Sequence, residues 1–376
     1  MQTTKTQEAI PMLDLKAQYA SIRDEIRAAI DQVLETQHFI LGPQVKALEE
    51  EIATYCGTKY AVGVASGTDA LVLALHACGV GPGDEVIVPT FTYIATGDSA
   101  SLLGAVPVFV DIDPATYNMD PAQLEARITA KTKAIVPVHL YGQPANMEPI
   151  RAMARRHHLK VIEDNAQAIG AVYRGHKTGS LGDIGCISFF PSKNLGGYGD
   201  GGMMVTNSEE LAASLRALRG HGTKRHKYMS EQQGWNSRLD ELQAAILRVK
   251  LRHLDDWKRG RQAVAARYSE LLPGLAGVVT PKVAVGCEHV YHQYTIRVPH
   301  RDAVQQRLAD SGVPSTVYYP VPMHMQKMYA HLGAKPGSLP VAEQAAGEVL
   351  SLPVYPELTA AQISRVAEAL AAAVKG

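Results

Sequence analysis

The sequence predicts an α/β fold: a large domain on a mostly parallel, mixed sheet covered by helices, followed by a smaller C-terminal α+β domain. Three observations predict it. At 376 residues the chain is too long for one small core. Its strand-like runs are continuously apolar rather than alternating, as suits strands buried on both faces. Helical stretches separate those runs, the pattern of parallel strands joined by helical crossovers.

Taken in order, YAVGVA (60–65), EVIVP (85–89), VPVFVDI (106–112), KAIVPVHL (133–140) and LKVIED (159–164) read as short buried strands. TDALVLALHACG and MEPIRAMARRHH between them carry helical spacing. IGCISFF and GGMMVTN add two strands around Gly202. From Arg238 a long helical pattern runs through LDELQAAILRVKLRHLDDW and then GRQAVAARYSELL. Beyond it come YHQYTIRV, a helix near 302–311, the stretch STVYYP and two terminal helices. The expected division is 10–259 for the large domain and 260–376 for the small one. The first ten residues are expected to be loose or to pack on the small domain.

Acidic and basic residues balance at 37 each, so no global field draws nucleic acid or an anionic membrane. The start, MQTTKTQEAIP, lacks an apolar signal core, and no run is apolar for the length of a membrane span. Cys56, Cys78, Cys186 and Cys287 lie far apart and read as reduced, mostly buried thiols. The expectation is a soluble, cytoplasmic protein of enzyme size. GAVYRGHKT imitates a phosphate-binding P-loop, but His176 displaces the lysine from its required place after the glycine. The histidines lack a third partner at zinc-binding spacing.

Ligands of an open parallel sheet bind beyond the carboxyl ends of its strands. After YAVGVA comes Ser66-Gly67-Thr68-Asp69 at a helix start, where free N–H groups and the helix dipole suit a phosphate. After EVIVP come Phe91 and Tyr93, and after LKVIED come Glu163, Asp164 and Gln167. A carboxylate at a buried strand end is costly unless it meets a cation or several donors. Ser188 ends the strand leading to Lys193, and five glycines crowd into 196–202. A phosphate site, an aromatic plate, a carboxylate and a lysine are the set that pyridoxal phosphate asks for. Its phosphate needs the helix start and Ser188, its ring a flat neighbour such as Tyr93, its pyridine nitrogen a carboxylate, and its aldehyde a lysine. The glycines let the backbone turn tightly against such a cofactor.

EDNAQAIGA, SFFPSKNLGGYGDGG and GWNSRLDELQAAIL resemble the DegT/StrS type of sugar-nucleotide aminotransferases, which are fold type I pyridoxal-phosphate enzymes. ILGPQV, SGTDAL and PVPMHMQKMY extend the similarity along almost the whole chain. The resemblance implies that Lys193 links covalently to the cofactor, Asp164 holds the pyridine nitrogen and Gln167 the ring hydroxyl. Gly67, Thr68 and Ser188 would bind phosphate, Tyr93 would stack on the ring, and Asn236 would reach the cofactor phosphate of a neighbouring subunit. The implied active unit is a homodimer with shared sites. Dehydratases of this superfamily carry histidine at the lysine, so Lys193 favours amino transfer. The implied donor is L-glutamate, which leaves the cofactor as pyridoxamine phosphate before a nucleotide-linked keto sugar accepts the amine.

NSRLDELQ resembles the members acting at C3, where C4 enzymes show NYRM-like residues. The favoured substrate is UDP-2-acetamido-2-deoxy-3-oxo-glucuronate, for amino sugars of surface polysaccharide such as O-antigen. A dTDP-3-oxo-6-deoxyhexose, C4 amination and a cofactor-binding regulator without turnover are the alternatives. His221, Lys224, Arg225, Lys227 and Tyr228 form either a clamp for a nucleotide diphosphate or a solvated loop. Arg238 either pairs with a uronate carboxylate or braces the helix it starts. Tyr318 and His324 are further substrate-side candidates.

Overall fold

The computed structural model describes residues 10–226 and 228–375. Two helices open the chain, α1 (Leu15–Thr36) and α2 (Pro43–Cys56). The alternating section follows: β1 (Tyr60–Val64), α3 (Gly67–Ala77), β2 (Glu85–Pro89), α4 (Ala95–Ser101), β3 (Val106–Val110), β4 (Thr132–Ile135), α5 (Met147–Arg156) and β5 (Lys160–Asp164). A small hairpin, β6 (Val172–Tyr173) and β7 (His176–Lys177), occupies the false P-loop. Then come β8 (Ile184–Ser188), β9 (Gly202–Thr206), α6 (Glu209–Leu218) and the hairpin β10 (Thr223–His226) with β11 (Met229–Ser230). The last part holds α7 (Glu241–Leu271), β12 (Cys287–Glu288), β13 (Tyr294–Arg297), α8 (Arg301–Asp310), α9 (Pro340–Glu348), β14 (Val349–Leu352) and α10 (Ala360–Ala373).

The main sheet has seven strands in the order β1-β9-β8-β5-β4-β2-β3. Only β9 runs against the others, pairing antiparallel with β1 and β8. It lies between them with Val64, Gly202 and Ser188 in register, so three strand ends and two loops meet at one edge. Because both faces are covered, the strands are buried along nearly their whole length, and their continuous apolar composition follows from that. One core joins the sheet to α3 and α6 through Leu71, Leu75, Leu215 and Leu218. Another joins its opposite face to α2 and α7 through Leu48, Ile52, Leu239 and Leu247.

A separate core gathers Val264, Tyr268, Ile296, Leu352, Val366 and Leu370. Ile10, the first described residue, is buried in this C-terminal core. The long helical pattern expected from Arg238 is one helix of 31 residues, beginning at Glu241, because nothing between Trp257 and Gly260 breaks its hydrogen bonds. Its first half packs on α2 and the sheet, and its second half enters the C-terminal core. STVYYP holds no named strand; one bridge, Thr316 to Ser351, ties it to β14. β14 pairs antiparallel with β13. Cys56 and Cys186 are buried and Cys78 and Cys287 half-buried, all as free thiols.

Candidate active site

The helix start after β1 is built as the sequence suggests. Ser66 caps α3 by accepting a hydrogen bond from the Asp69 N–H at 3.0 Å. Ser188, across the edge, lies directly against it. A Cβ added to Gly67 would stand 2.7 Å from Ser188 Cβ and 3.0 Å from its Oγ. A Cβ on Gly202 would stand 2.3 Å from the Ser66 carbonyl oxygen. Any side chain at either position would fill the cradle between the helix start and Ser188. Ser237 braces the same corner, receiving the Ala65 N–H at 3.2 Å and donating to Asp69 Oδ2 at 2.6 Å. Its neighbour Asn236 is exposed on this chain.

Strand alternation sends the two carboxylates at the end of β5 to opposite faces. Glu163 is fully engaged. Its oxygens accept from the N–H groups of Leu181 and Gly182 at 2.6 Å each, Gly179 at 2.7 Å, and His139 Nε2 at 2.8 Å. The Ala145 N–H donates to His139 Nδ1 at 3.0 Å, so the imidazole proton sits on Nε2, facing Glu163. Asp164 has fewer partners, the Thr96 hydroxyl at 2.7 Å and the Ala166 N–H at 3.1 Å. It is buried, yet two ionised oxygens can accept about four hydrogen bonds, so it keeps spare capacity.

Lys193 sits in a tight turn, its N–H donating to the Phe190 carbonyl at 2.8 Å. Burial holds its ammonium below the usual lysine range, and the charge of Asp164 opposes that shift. The two groups therefore feel each other without forming an ion pair among the described residues. Gln167 stands beside Asp164 with its amide fixed. The Tyr141 N–H donates to its Oε1 at 2.7 Å, so its Nε2 must be the atom facing the Tyr319 hydroxyl at 2.9 Å. Tyr93 is 58% exposed and its ring lies 6.3 Å from that of Tyr319, whereas Phe91 is fully buried and belongs to the core.

Not every sequence candidate joins this group. The ring of His324 is buried, with Nδ1 2.6 Å from the Thr90 hydroxyl and Nε2 3.2 Å from Glu343. Both nitrogens are occupied by the protein itself, so His324 ties β2 to α9 and is not a free substrate contact in this structure. At the tyrosine pair it is Tyr319 whose hydroxyl reaches Gln167, while the Tyr318 backbone carbonyl accepts from the Tyr141 hydroxyl. Arg238 is half-buried two residues before the N-cap of α7. His221 and Tyr228 are exposed at the β10–β11 hairpin. Lys224 and Arg225 are described only as backbone of β10, and Lys227 lies outside the described residues. Thr96, Ser237 and Tyr319 were missed, since a lone hydroxyl carries no spacing signal. GWNSR did at least mark the neighbourhood of Ser237.

The arrangement fits pyridoxal phosphate. The cradle closed to any Cβ at Gly67 and Gly202 takes an anion at a helix N-terminus. Asp164, with acceptor capacity to spare, and the half-buried Lys193 lie close enough for the charge of one to act on the other.

Comparisons with known proteins bear on the fold and the family. The family model described as the DegT/DnrJ/EryC1/StrS aminotransferase family matches residues 20–371. The chain is 55% identical to a Geobacillus stearothermophilus protein named pleiotropic regulatory protein, over 96% of this chain and 98% of that one. It is 53% identical to the UDP-N-acetyl-3-dehydro-alpha-D-glucosamine 3-aminotransferase of Acidithiobacillus ferrooxidans, over 98% and 99% of the two chains. It is 49% identical to the UDP-2-acetamido-2-deoxy-3-oxo-D-glucuronate aminotransferase of Pseudomonas aeruginosa, over 96% and 99%. Among solved structures, S. venezuelae DesV in complex with a ketimine intermediate superposes with a TM-score of 0.95 at 47% identity, covering 98% and 99% of the two chains. The ntda protein of Bacillus subtilis with bound cofactor PMP gives 0.90 at 35% identity, covering 99% and 87%.

Proposed function

The chain belongs to the DegT/DnrJ/EryC1/StrS aminotransferase family, and from that premise we propose that it carries an amino group from L-glutamate to C3 of a UDP-linked 2-acetamido-3-oxo sugar, with the glucuronate favoured. That it is a pyridoxal-phosphate-dependent transaminase of the nucleotide-sugar C3 type follows from the family and its close relatives. The sugar, the donor and the residue roles are the proposal. So are work in the cytoplasm, a place in surface-polysaccharide synthesis and a large unit at 10–259 joined to a small one at 260–376. Among the described residues no helix is long and apolar enough to cross a membrane.

The observation that carries the site is the shared space between Lys193, Asp164 and the Gly67–Ser188 cradle. Gly67, Thr68 and Ser188 would hold the phosphate, Asp164 the pyridine nitrogen, Gln167 the ring hydroxyl and Tyr93 one ring face. When bound, pyridoxal phosphate supplies an aldehyde that captures amines and a protonated ring that withdraws electrons. Asp164 keeps that ring nitrogen protonated, with its own charge steadied by Thr96. Gln167 offers an N–H donor, because its oxygen is already taken by Tyr141. Lys193 would hold the cofactor's aldehyde through Nζ and, as a free amine, would take a proton from the substrate carbon that bears the amino group and later return one. Burial favours the neutral amine that this task needs, and Asp164 limits how far that goes.

Support for the sugar comes from the two UDP-sugar relatives. The reading assigns a carboxylate at C5 to Arg238, which is half-buried and next in sequence to Ser237. The test is spectroscopic. Purified protein with pyridoxal phosphate is expected to show the visible band of the lysine-bound cofactor, and Lys193→Ala to lack it. L-glutamate and UDP-2-acetamido-3-amino-glucuronate are expected to bleach the band, and Arg238→Gln to weaken the response to the uronate but not to glutamate. Bleaching by the corresponding glucosamine or by a dTDP-3-amino-6-deoxyhexose alone would reassign the sugar. A coloured wild type whose band none of these amines bleaches would favour a cofactor-binding regulator without turnover, and absence of colour would remove Lys193 as the anchor.

A further inference from the structure

Directly after Lys193 the chain is held by side chains. Asn194 Nδ2 donates to the Val290 carbonyl at 3.4 Å, Asn194 Oδ1 lies 3.1 Å from His292 Nδ1, and Leu195 is buried in the core. The five glycines beyond them leave the rest of the loop to backbone contacts. Within the loop, the Gly197 N–H donates to the Phe189 carbonyl at 2.7 Å, and Gly196 is folded so close to the Pro191 carbonyl that a Cβ would stand 2.2 Å from it. A further grip comes from α7. Gln243 Oε1 accepts from the Tyr198 N–H at 2.8 Å, and Lys250 Nζ donates to the Gly196 carbonyl. Residues seven apart lie nearly two turns along one helix face, so one rigid element offers the loop an acceptor and a donor together.

Lys250 is an unusual donor. It is 1% exposed and has no carboxylate partner among the described residues. Its other neighbours are the rings of Tyr198 at 5.0 Å and Trp257 at 5.9 Å. Tyr19 packs behind Tyr198 and His253 behind Trp257. No nearby charge shifts the ammonium; burial alone lowers it to about 8. An ammonium buried without a counter-charge costs stability that an apolar side chain of the same length would not.

We propose that Lys250 is a positioning residue for Lys193: with Gln243 it fixes the backbone of the glycine loop from α7, and thereby the direction in which Lys193 Nζ meets the cofactor. The inference rests on Lys193 as the cofactor anchor. Its test compares wild type, Lys250→Met, Lys250→Arg and Lys193→Ala, reading cofactor affinity, the pH response of the visible band and the melting temperature without cofactor. Lys250→Met is expected to melt at or above the wild-type temperature, yet to bind pyridoxal phosphate on the order of tenfold more weakly, because a displaced loop misaims the lysine. It is also expected to lose a change in the band centred near pH 8. Lys250→Arg, which keeps a donor, is expected to recover much of the affinity. Wild-type affinity and pH response in Lys250→Met would overturn the inference, as would affinity and melting temperature falling together in both variants. A band in the wild type and none in Lys193→Ala upholds the anchor separately; no band in the wild type removes the anchor and this inference with it.

Discussion

Adjacent residues of one strand do opposite work at the end of β5. Glu163 meets four donors, and Asp164 meets two and faces the crevice. Removing charge from the two should therefore have separable effects. Glu163→Gln leaves one oxygen's worth of backbone N–H groups facing an amide NH₂, and is expected to cost about 3 kcal/mol of stability, the scale for breaking a buried charged network. Asp164→Asn is expected to leave the denaturation midpoint nearly unchanged, since the amide oxygen can still accept from Thr96. Its turnover should fall by at least about a hundredfold, because a neutral partner no longer holds the pyridine nitrogen protonated. Chemical denaturation and single-turnover absorbance on both variants separate the two. Equal stability losses would mean that Asp164 is a structural strand-end carboxylate after all.

At the scale of elements, α7 organises much of the large unit. Its first-turn residue Glu241 is 1% exposed and caps a different helix, accepting from the N–H groups of Gly42 at 2.9 Å and of Gln44 and Val45 at 2.8 Å. Those donors belong to the start of α2, where Gly42 provides no side-chain cap and a carboxylate meets the positive end of the helix. Glu241→Gln is expected to lose about 2 kcal/mol, the worth of hydrogen bonds to a charged group, with the visible cofactor band unchanged. Lys250 on the same helix adds a pH term of the opposite kind. Its folded pKa, about 8, lies below the ordinary lysine value, so the unfolded chain binds the extra proton between about 8 and 10.5. Below pH 8 the burial cost is fully present; as pH rises through that window it is relieved and stability rises. Lys250→Met should flatten this rise in the melting temperature, whereas a rise that persists unchanged would place its cause elsewhere.

For the molecule as a whole, the C-terminal part is tied to the sheet side by hydrogen bonds at several places, one of them at Gln167. Asp111, one residue past β3, accepts from the Val341 and Ala342 N–H groups at the start of α9, at 2.9 and 2.8 Å. Tyr319 reaches from the C-terminal part to Gln167, and the Gln293 N–H donates to the Tyr141 carbonyl at 3.1 Å. Closure of the site therefore depends on how the C-terminal part sits against the large one. Asn236 is exposed on this chain and precedes Ser237 of the cradle corner; the proposed homodimer assigns it to the site of a second copy. If sites are shared in a homodimer, Lys193→Ala and Asn236→Ala proteins should each be nearly inactive alone. Refolding them together should restore activity through hybrid dimers with one intact site. No recovery on mixing, with dimers verified by light scattering, would place Asn236 outside the site.

The sequence by itself determined the fold class and the main strands, because strands buried on both faces must be continuously apolar and helices between them keep their own period. It also pointed to the cofactor, since Lys193, Asp164, Ser188 and the Gly67 helix start, each ordinary alone, together match a pyridoxal-phosphate set and the motifs of the family. The long α7 was legible from its helical pattern, but the seating of Ile10 in the C-terminal core and the β14 strand were not, as each depends on packing partners distant in sequence. Only the tertiary structure decided which carboxylate of the Glu163–Asp164 pair is free, that Tyr319 and not Tyr318 reaches Gln167, and that His324 is spent on Thr90 and Glu343. Hydrogen-bond saturation explains all three outcomes. A residue type states what a side chain can offer, but whether the offer is already taken depends on neighbours that the fold brings from tens or hundreds of residues away.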